Sequence, residues 1–158
     1  MINKVVFKKI KFNNIDPNKF KKYITKNGLF VFPAGPALAS IKKSKIYYNS
    51  LIKADFVFFD SGFFVLLLKI FKNINVYKFS GYKFLSLFFH YIKKNKKKSI
   101  FSIDPNLNFS KSNQLYFKNL GIKKVNNYLA PKYNIKNLSD RKLLELLKNM
   151  IKKLLLVA

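Results

Sequence analysis

Apolar residues in this chain fall into short runs separated by turn residues, and several runs are too brief for helices. Residues 29–32 (Leu-Phe-Val-Phe) and the aromatic stretch within 55–59 (Asp-Phe-Val-Phe-Phe) predict buried strands. The first stops at Pro33-Ala34-Gly35-Pro36, where the prolines remove backbone donors, and the second at Asp60-Ser61-Gly62. A third apolar strand is predicted over 99–103, closed by Asp104-Pro105-Asn106, and 122–129 returns as extended structure up to Ala130-Pro131. Residues 76–79 predict a brief extended piece before Ser80-Gly81.

Helical spacing fills the intervals. Phe20, Tyr23 and Ile24 predict a short helix closed by Asn27-Gly28, after a turn at Asp16-Pro17 in the mixed, basic segment 1–26. Leu38, Ile41, Lys45, Tyr48 and Ile52 predict one helix across 37–53. Another follows the Asp60 turn through about residue 71. On 82–94, Phe84, Leu85, Phe88, Phe89 and Ile92 make an inward stripe that ends in the lysine-rich run 93–98, expected to be a solvated loop. Residues 111–120 predict a helix ended by Gly121. Ser139-Asp140 caps a last helix through about 153, with Leu143, Leu144, Leu147 and Ile151 inward, and 154–158 resembles the start of a strand. Strand and helix in alternation predict one α/β domain over 1–158: a mostly parallel sheet with helices on both faces. In such sheets a ligand sits at the carboxyl ends of the strands, where the turns 33–36, 60–62 and 104–106 would gather.

Composition narrows the chemistry. There is no cysteine, which excludes disulfides, thiolate metal sites and a cysteine nucleophile. His90 is the only histidine and lies within Phe88-Phe89-His90-Tyr91, away from every strand-end turn, where a structural or surface role is expected. A general base must come from six acidic residues: Asp16, Asp55, Asp60, Asp104, Asp140 and Glu145. Asp55 precedes a strand and is expected to cap or to pair with lysine; Asp140 starts a helix. Asp60 has two readings, a cap for the helix that follows or a carboxylate presented at a strand end beside a glycine that lets a ligand approach. Neither Gly-x-Gly-x-x-Gly nor a Gly-Lys-Ser/Thr phosphate loop occurs.

Net charge is +26, which draws the chain toward anionic surfaces. The charge is almost all lysine, with Arg141 the sole arginine, and lysine is the poorer choice for two-pronged base recognition. Asn, Ile, Phe and Tyr are abundant as well, a set that an A+T-rich coding sequence favours, so the charge speaks to location more than to function. Residues 1–12 alternate apolar residues with lysines and lack the apolar core of a secretory signal. The uninterrupted apolar part of the richest window, 62–68, is far below the roughly 20 residues of a spanning helix.

The turns, taken in order, resemble the WecG/TagA/CpsF glycosyltransferase family. The matching stretches are 32–38, then 48–68 with Ala54-Asp55 and Asp60-Ser61-Gly62, then Lys78-Phe79-Ser80-Gly81-Tyr82. Asn127-Tyr128-Leu129-Ala130-Pro131-Lys132-Tyr133 follows, with Asp140 and Leu143-Leu144 beyond. The resemblance covers 28–158 and leaves 1–27 as a basic N-terminal extension. It implies a Rossmann-like enzyme that transfers a hexose or N-acetylhexosamine, N-acetylmannosamine-like, from a UDP-sugar to a polyprenyl diphosphate-linked acceptor in cell-surface polysaccharide biosynthesis. The transfer is inverting and needs no metal, and the only small-molecule requirement is the UDP-sugar itself. Asp60 falls on the family's catalytic base. Gly35, Ser61, Gly62 and Gly81 fall around the substrates, and Lys78 stands where many members carry arginine. Asp104 and Asn106 fall where a nucleotide contact is expected. The implied location is the cytoplasmic face of the inner membrane, on an anionic surface; a homo-oligomer is compatible, and nucleic acid is not an expected partner.

Two departures accompany the resemblance. Many members carry a Thr-x-Asn pattern where this chain has Pro33-Ala34-Gly35-Pro36, and Ala34 cannot supply a polar contact to the sugar. Members also continue past the position of Ala158 into uridine-binding motifs, so the resemblance implies a domain truncated at its C-terminal end. The alternatives are a non-catalytic basic α/β protein that binds anionic lipid or nucleic acid, and an inactive truncated remnant. Glycosyl transfer requires Asp60 in a pocket with Gly35, Lys78 and Gly81 nearby.

Overall fold

The basic stretch at the front of the chain, expected to turn and enter a helix, first forms a β-hairpin. In the computed structural model, which describes residues 4–95, 99–133 and 139–150, β1 (Lys4–Phe7) and β2 (Ile10–Asn13) pair antiparallel. Alternation explains it: Ile10 and Phe12 are buried while Lys11 points to water. The two-residue loop is Lys8-Lys9, with φ of 47° and 63°. Such left-handed pairs are the usual property of Asn-Gly, so the sequence carries no ordinary hairpin signal here. The Tyr48 hydroxyl donates to the Lys8 carbonyl at 3.0 Å and holds the loop.

The chain is mixed α/β and divides into two compact units, Met1–Phe88 and Phe89–Ala158. In the first, β3 (Phe30–Val31) and β4 (Phe56–Val57) complete a sheet of order β1-β2-β4-β3. β4 runs parallel to both neighbours, so the sheet is mostly parallel with the hairpin as its antiparallel edge. Residues 76–79 form no strand, yet the Phe79 N–H donates to the Phe59 carbonyl at 2.8 Å and docks the segment on the end of β4.

Alternation along β4 builds two aromatic layers. Val57 and Phe59 face Ile10, Phe12, Leu38, Leu51 and Phe64, with the rings of Phe12 and Phe59 stacked at 4.8 Å. Phe58 faces the other way, onto Phe20, Phe32 and Phe79. The helices flank accordingly: α1 (Lys21–Ile24) follows the buried Phe20, and α2 (Gly35–Ala39), α3 (Lys45–Lys53) and α4 (Gly62–Lys72) place Leu38, Leu51 and Phe64 in the first layer. The single helix expected over 37–53 is broken into α2, a 3-10 turn at Ile41–Lys43 and α3. Two serines break it. Ser40 Oγ donates back to the Pro36 carbonyl at 2.9 Å, and Ser44, in extended backbone, accepts from the Tyr47 N–H and caps α3. α5 (Gly81–Lys94) follows the expected stripe.

The second unit has a sheet of its own, β5 (Ser99–Asp104) parallel to β6 (Lys124–Leu129), joined through α6 (Leu107–Asn119). α6 begins four residues before the expected 111, because Asn106 caps it by accepting from the Phe109 N–H at 3.1 Å. Gly121 closes it with φ of 77°, a conformation that costs glycine little. α7 (Arg141–Met150) starts at Asp140 as expected. The terminal strand expected over 154–158 and residues 96–98 of the expected loop 93–98 lie outside the described residues, while Lys93 and Lys94 close α5.

Candidate active site at the carboxyl ends of β3 and β4

The turn after β4 divides its duties between adjacent residues. Ser61 Oγ accepts from the Phe64 N–H at 3.2 Å and caps α4. Asp60 is thereby released from the capping role that one reading gave it. Its Oδ1 instead accepts from the N–H of Gly81, the first residue of α5, at 3.3 Å. Oδ2 has no partner among the described residues, and the side chain is half-buried.

Three glycines mark the surroundings of Asp60, and at Gly35 the missing side chain is what permits the approach. A Cβ on Gly35 would stand 2.9 Å from Ser61 Oγ, so the β3 turn and the β4 turn touch only because that atom is missing. A Cβ on Gly81 would stand 3.4 Å from the Phe32 Cβ, which ties the start of α5 to the end of β3. The position of a Cβ on Gly62 lies 3.5 Å from Lys78 Nζ, so the ammonium group rests beside the first residue of α4. Asp60, Ser61, Gly62, Gly35, Lys78 and Gly81 therefore assemble at one place.

The electrostatics suit an anion next to a hydroxyl. α4 and α5 both begin here, and helix amino ends carry partial positive charge from unpaired N–H groups. Lys78 adds a full charge. A carboxylate with one oxygen anchored by a backbone N–H and the other open can accept a proton while keeping its orientation. An apolar cavity of about 340 Å³ opens from the same turns, with Gly35 and Ser61 at one end and Leu38, Phe63, Leu67 and Phe71 along it.

Asp104 and Asn106 belong to the second unit, where their side chains are engaged internally. Asp104 is 1% exposed; its Oδ2 accepts from Ser102 Oγ at 3.0 Å and its Oδ1 from Asn113 Nδ2 at 2.7 Å. Asn106 is exposed and caps α6. His90 is exposed on α5. Asp55 accepts from the Leu29 N–H at 2.8 Å, at the amino ends of β3 and β4, so it acts as a clamp on the backbone.

Several polar residues escaped notice in the sequence. Asn13 and Asn14, both buried, end β2; Asn13 Nδ2 donates to the Val57 carbonyl at 3.3 Å and Asn14 Oδ1 accepts from the Tyr77 N–H at 2.8 Å. They hold the sheet and the 76–79 segment that delivers Lys78. Recognising the hairpin would have exposed them as the carboxyl end of a strand. In the second unit, Asp140 accepts from the Leu143 N–H at 2.9 Å and from the hydroxyls of Tyr128 and Tyr133. The Leu143 hydrogen bond, with help from both tyrosines, holds its carboxyl below the usual range. The hydrogen bond that the Tyr133 hydroxyl donates to Asp140 pushes that phenol up to about 12.

The chain matches no family model and no curated protein. Among the described residues, no group of three or more metal-ligating side chains is gathered, and no helix is long and apolar enough to cross a membrane.

Proposed function

We propose that the chain is an inverting, UDP-sugar-dependent glycosyltransferase of the kind its resemblance to the WecG/TagA/CpsF family implies. It would move a hexose or N-acetylhexosamine onto a polyprenyl diphosphate-linked acceptor in cell-surface polysaccharide biosynthesis, at the cytoplasmic face of the inner membrane. The observation that supports this reading is the assembly around Asp60: one oxygen tied to Gly81, the other open, with Gly35, Gly62 and Lys78 alongside.

In this mechanism Asp60 Oδ2 takes the proton of the acceptor hydroxyl as that oxygen attacks the anomeric carbon of the sugar. The bond from the anomeric carbon to the diphosphate oxygen breaks on the opposite side, and its electron pair leaves with UDP. Lys78 and the amino ends of α4 and α5 offset the charge that grows on the departing diphosphate. Lysine does this as a point charge, without the planar two-pronged contact of an arginine.

The test pairs UDP binding by calorimetry with UDP release in the presence of a polyprenyl diphosphate-linked acceptor, on the wild type and Asp60→Asn. Binding by both proteins with release by the wild type alone is the expected result. A folded wild-type protein that binds no UDP, or an Asp60→Asn variant that releases UDP at the wild-type rate, overturns the reading.

A further inference from the structure

The outer face of α4 is apolar where a helix covering a sheet normally carries polar residues. Phe64 and Leu68 turn inward and are buried. Phe63, Leu66, Ile70 and Phe71 lie on the other side of the same helix and are 69%, 50%, 63% and 75% exposed. At 3.6 residues per turn, positions 63, 66 and 70 form one stripe, with Phe71 at its edge against the groove. That groove runs between α2 and α4, and Phe7 and Lys8 of the hairpin line it together with Phe63, Phe71 and Lys72.

Lysines rim the patch. Lys69 and Lys72 stand in the last turn of α4, and Lys8 and Lys9 form the hairpin tip beside the groove. Both tip lysines occupy left-handed backbone, which non-glycine residues seldom adopt. Local preference is thus overruled at the place where two cations border exposed aromatic rings, and such departures collect at functional surfaces.

We infer that this face, the outer side of α4 with the Lys8-Lys9 hairpin tip, docks the protein on an anionic phospholipid bilayer. Phe63, Ile70 and Phe71 would enter the headgroup–acyl boundary while the lysines meet lipid phosphates, as an interfacial helix with aromatic anchors and a basic rim does. A second copy of the chain is the poorer occupant, because it would oppose the same lysines to each other on a molecule of net charge +26. The surface stands whether or not Asp60 transfers a sugar.

The chain has no tryptophan, so Phe71→Trp creates a single fluorescent reporter within the patch. Added to vesicles of phosphatidylcholine and phosphatidylglycerol, this protein should show a blue-shifted emission that brominated acyl chains quench; phosphatidylcholine alone should give neither change. Phe63→Ser/Ile70→Ser in the same background leaves the charge untouched. It should weaken vesicle partitioning by about tenfold or more at roughly 0.5 M salt, where attraction between exposed charges is largely screened. Binding without a blue shift, or equal partitioning of the double variant, would reduce the contact to headgroup electrostatics and overturn the proposal. Sedimentation of the lipid-free wild type as a dimer that the double variant dissociates would assign the face to self-association instead. No UDP-sugar enters this experiment, so its failure is separate from failure of the transfer reading.

Discussion

Asp60 and Asp104 stand at the carboxyl ends of strands in the two units, Asp60 in the turn after β4 and Asp104 as the last residue of β5, each just before a capped helix, and their carboxylates meet opposite fates. After Asp60, Ser61 caps α4; after Asp104, Asn106 caps α6. In both turns the cap comes from the following residues, which leaves the aspartate for other contacts. Asp104 is buried and accepts from Ser102 and Asn113. Asp60 is half-buried and accepts from one backbone N–H alone. The lesson is that a strand-end aspartate is available for chemistry only where neither its own helix nor nearby side chains occupy it. That condition holds at Asp60.

The sharpest way to break the comparison is to remove each carboxylate in turn. Asp60→Asn keeps the shape and can still accept from Gly81 through its amide oxygen, so the fold should hold. Sugar transfer, measured as UDP release, should fall on the order of 10²–10⁴-fold, the usual worth of a general base. Asp104→Ala should show the reverse pattern. It leaves Ser102 and Asn113 without their acceptor inside the unit and should lower stability by about 1–3 kcal/mol in a denaturant titration. Loss of stability at Asp60 equal to that at Asp104 would mean that both are structural.

Gly35→Ala gives a smaller effect that sharpens the point. Its new Cβ would stand 2.9 Å from Ser61 Oγ, so the serine must move off the Phe64 N–H. The cost should be about 1 kcal/mol in unfolding, that of a lost amino-terminal cap. UDP release should fall with it, because the same movement displaces Asp60 next door. Ser61→Ala isolates the cap: equal stability loss with transfer retained would assign the Gly35 effect to the backbone approach.

Much of this arrangement was legible in the sequence, where local rules and tertiary packing agree. The apolar runs before Asp60 and Asp104, the stripe on α5 and the stop at Gly121 all follow from period and turn chemistry. Strand-end topology brought Gly35 to Asp60, whereas Lys78 and Gly81 were expected there from the family resemblance. The turn 104–106, expected to join them, ends a strand of the other unit's sheet. Three features were hidden. Lys8-Lys9 turns a hairpin without turn residues, held from afar by Tyr48. The break at Ser40 and Ser44 depends on side-chain bonds to backbone that an apolar period does not record. The inward turn of Asp104 depends on Asn113, on the next helix, and on Ser102 two residues back, a pairing that no spacing announces.

The smallest predicted effect lies at a third aspartate, Asp140, which resembles neither of the other two. It is a surface cap that accepts from the Leu143 N–H and from two phenols. Those bonds favour the charged carboxylate, so its pKa in the folded chain lies below the ordinary 3.8. A carboxyl lowered on folding contributes stability that is complete above its unfolded pKa and is lost as pH falls through the folded one. The contribution from Asp140 should therefore disappear only below about pH 3.8. Tyr133 has the opposite sign: its phenol is raised from 10.0 to about 12, so its contribution is complete below pH 10 and is lost as pH climbs toward 12. Tyr133→Phe removes the phenol's contribution together with one of the bonds that lower Asp140. Carboxyl-carbon NMR titration should then find Asp140 closer to its ordinary value, with the Leu143 and Tyr128 bonds keeping part of the shift. An unchanged Asp140 titration in that variant would assign the shift to the Leu143 and Tyr128 bonds and leave Tyr133 as a passenger.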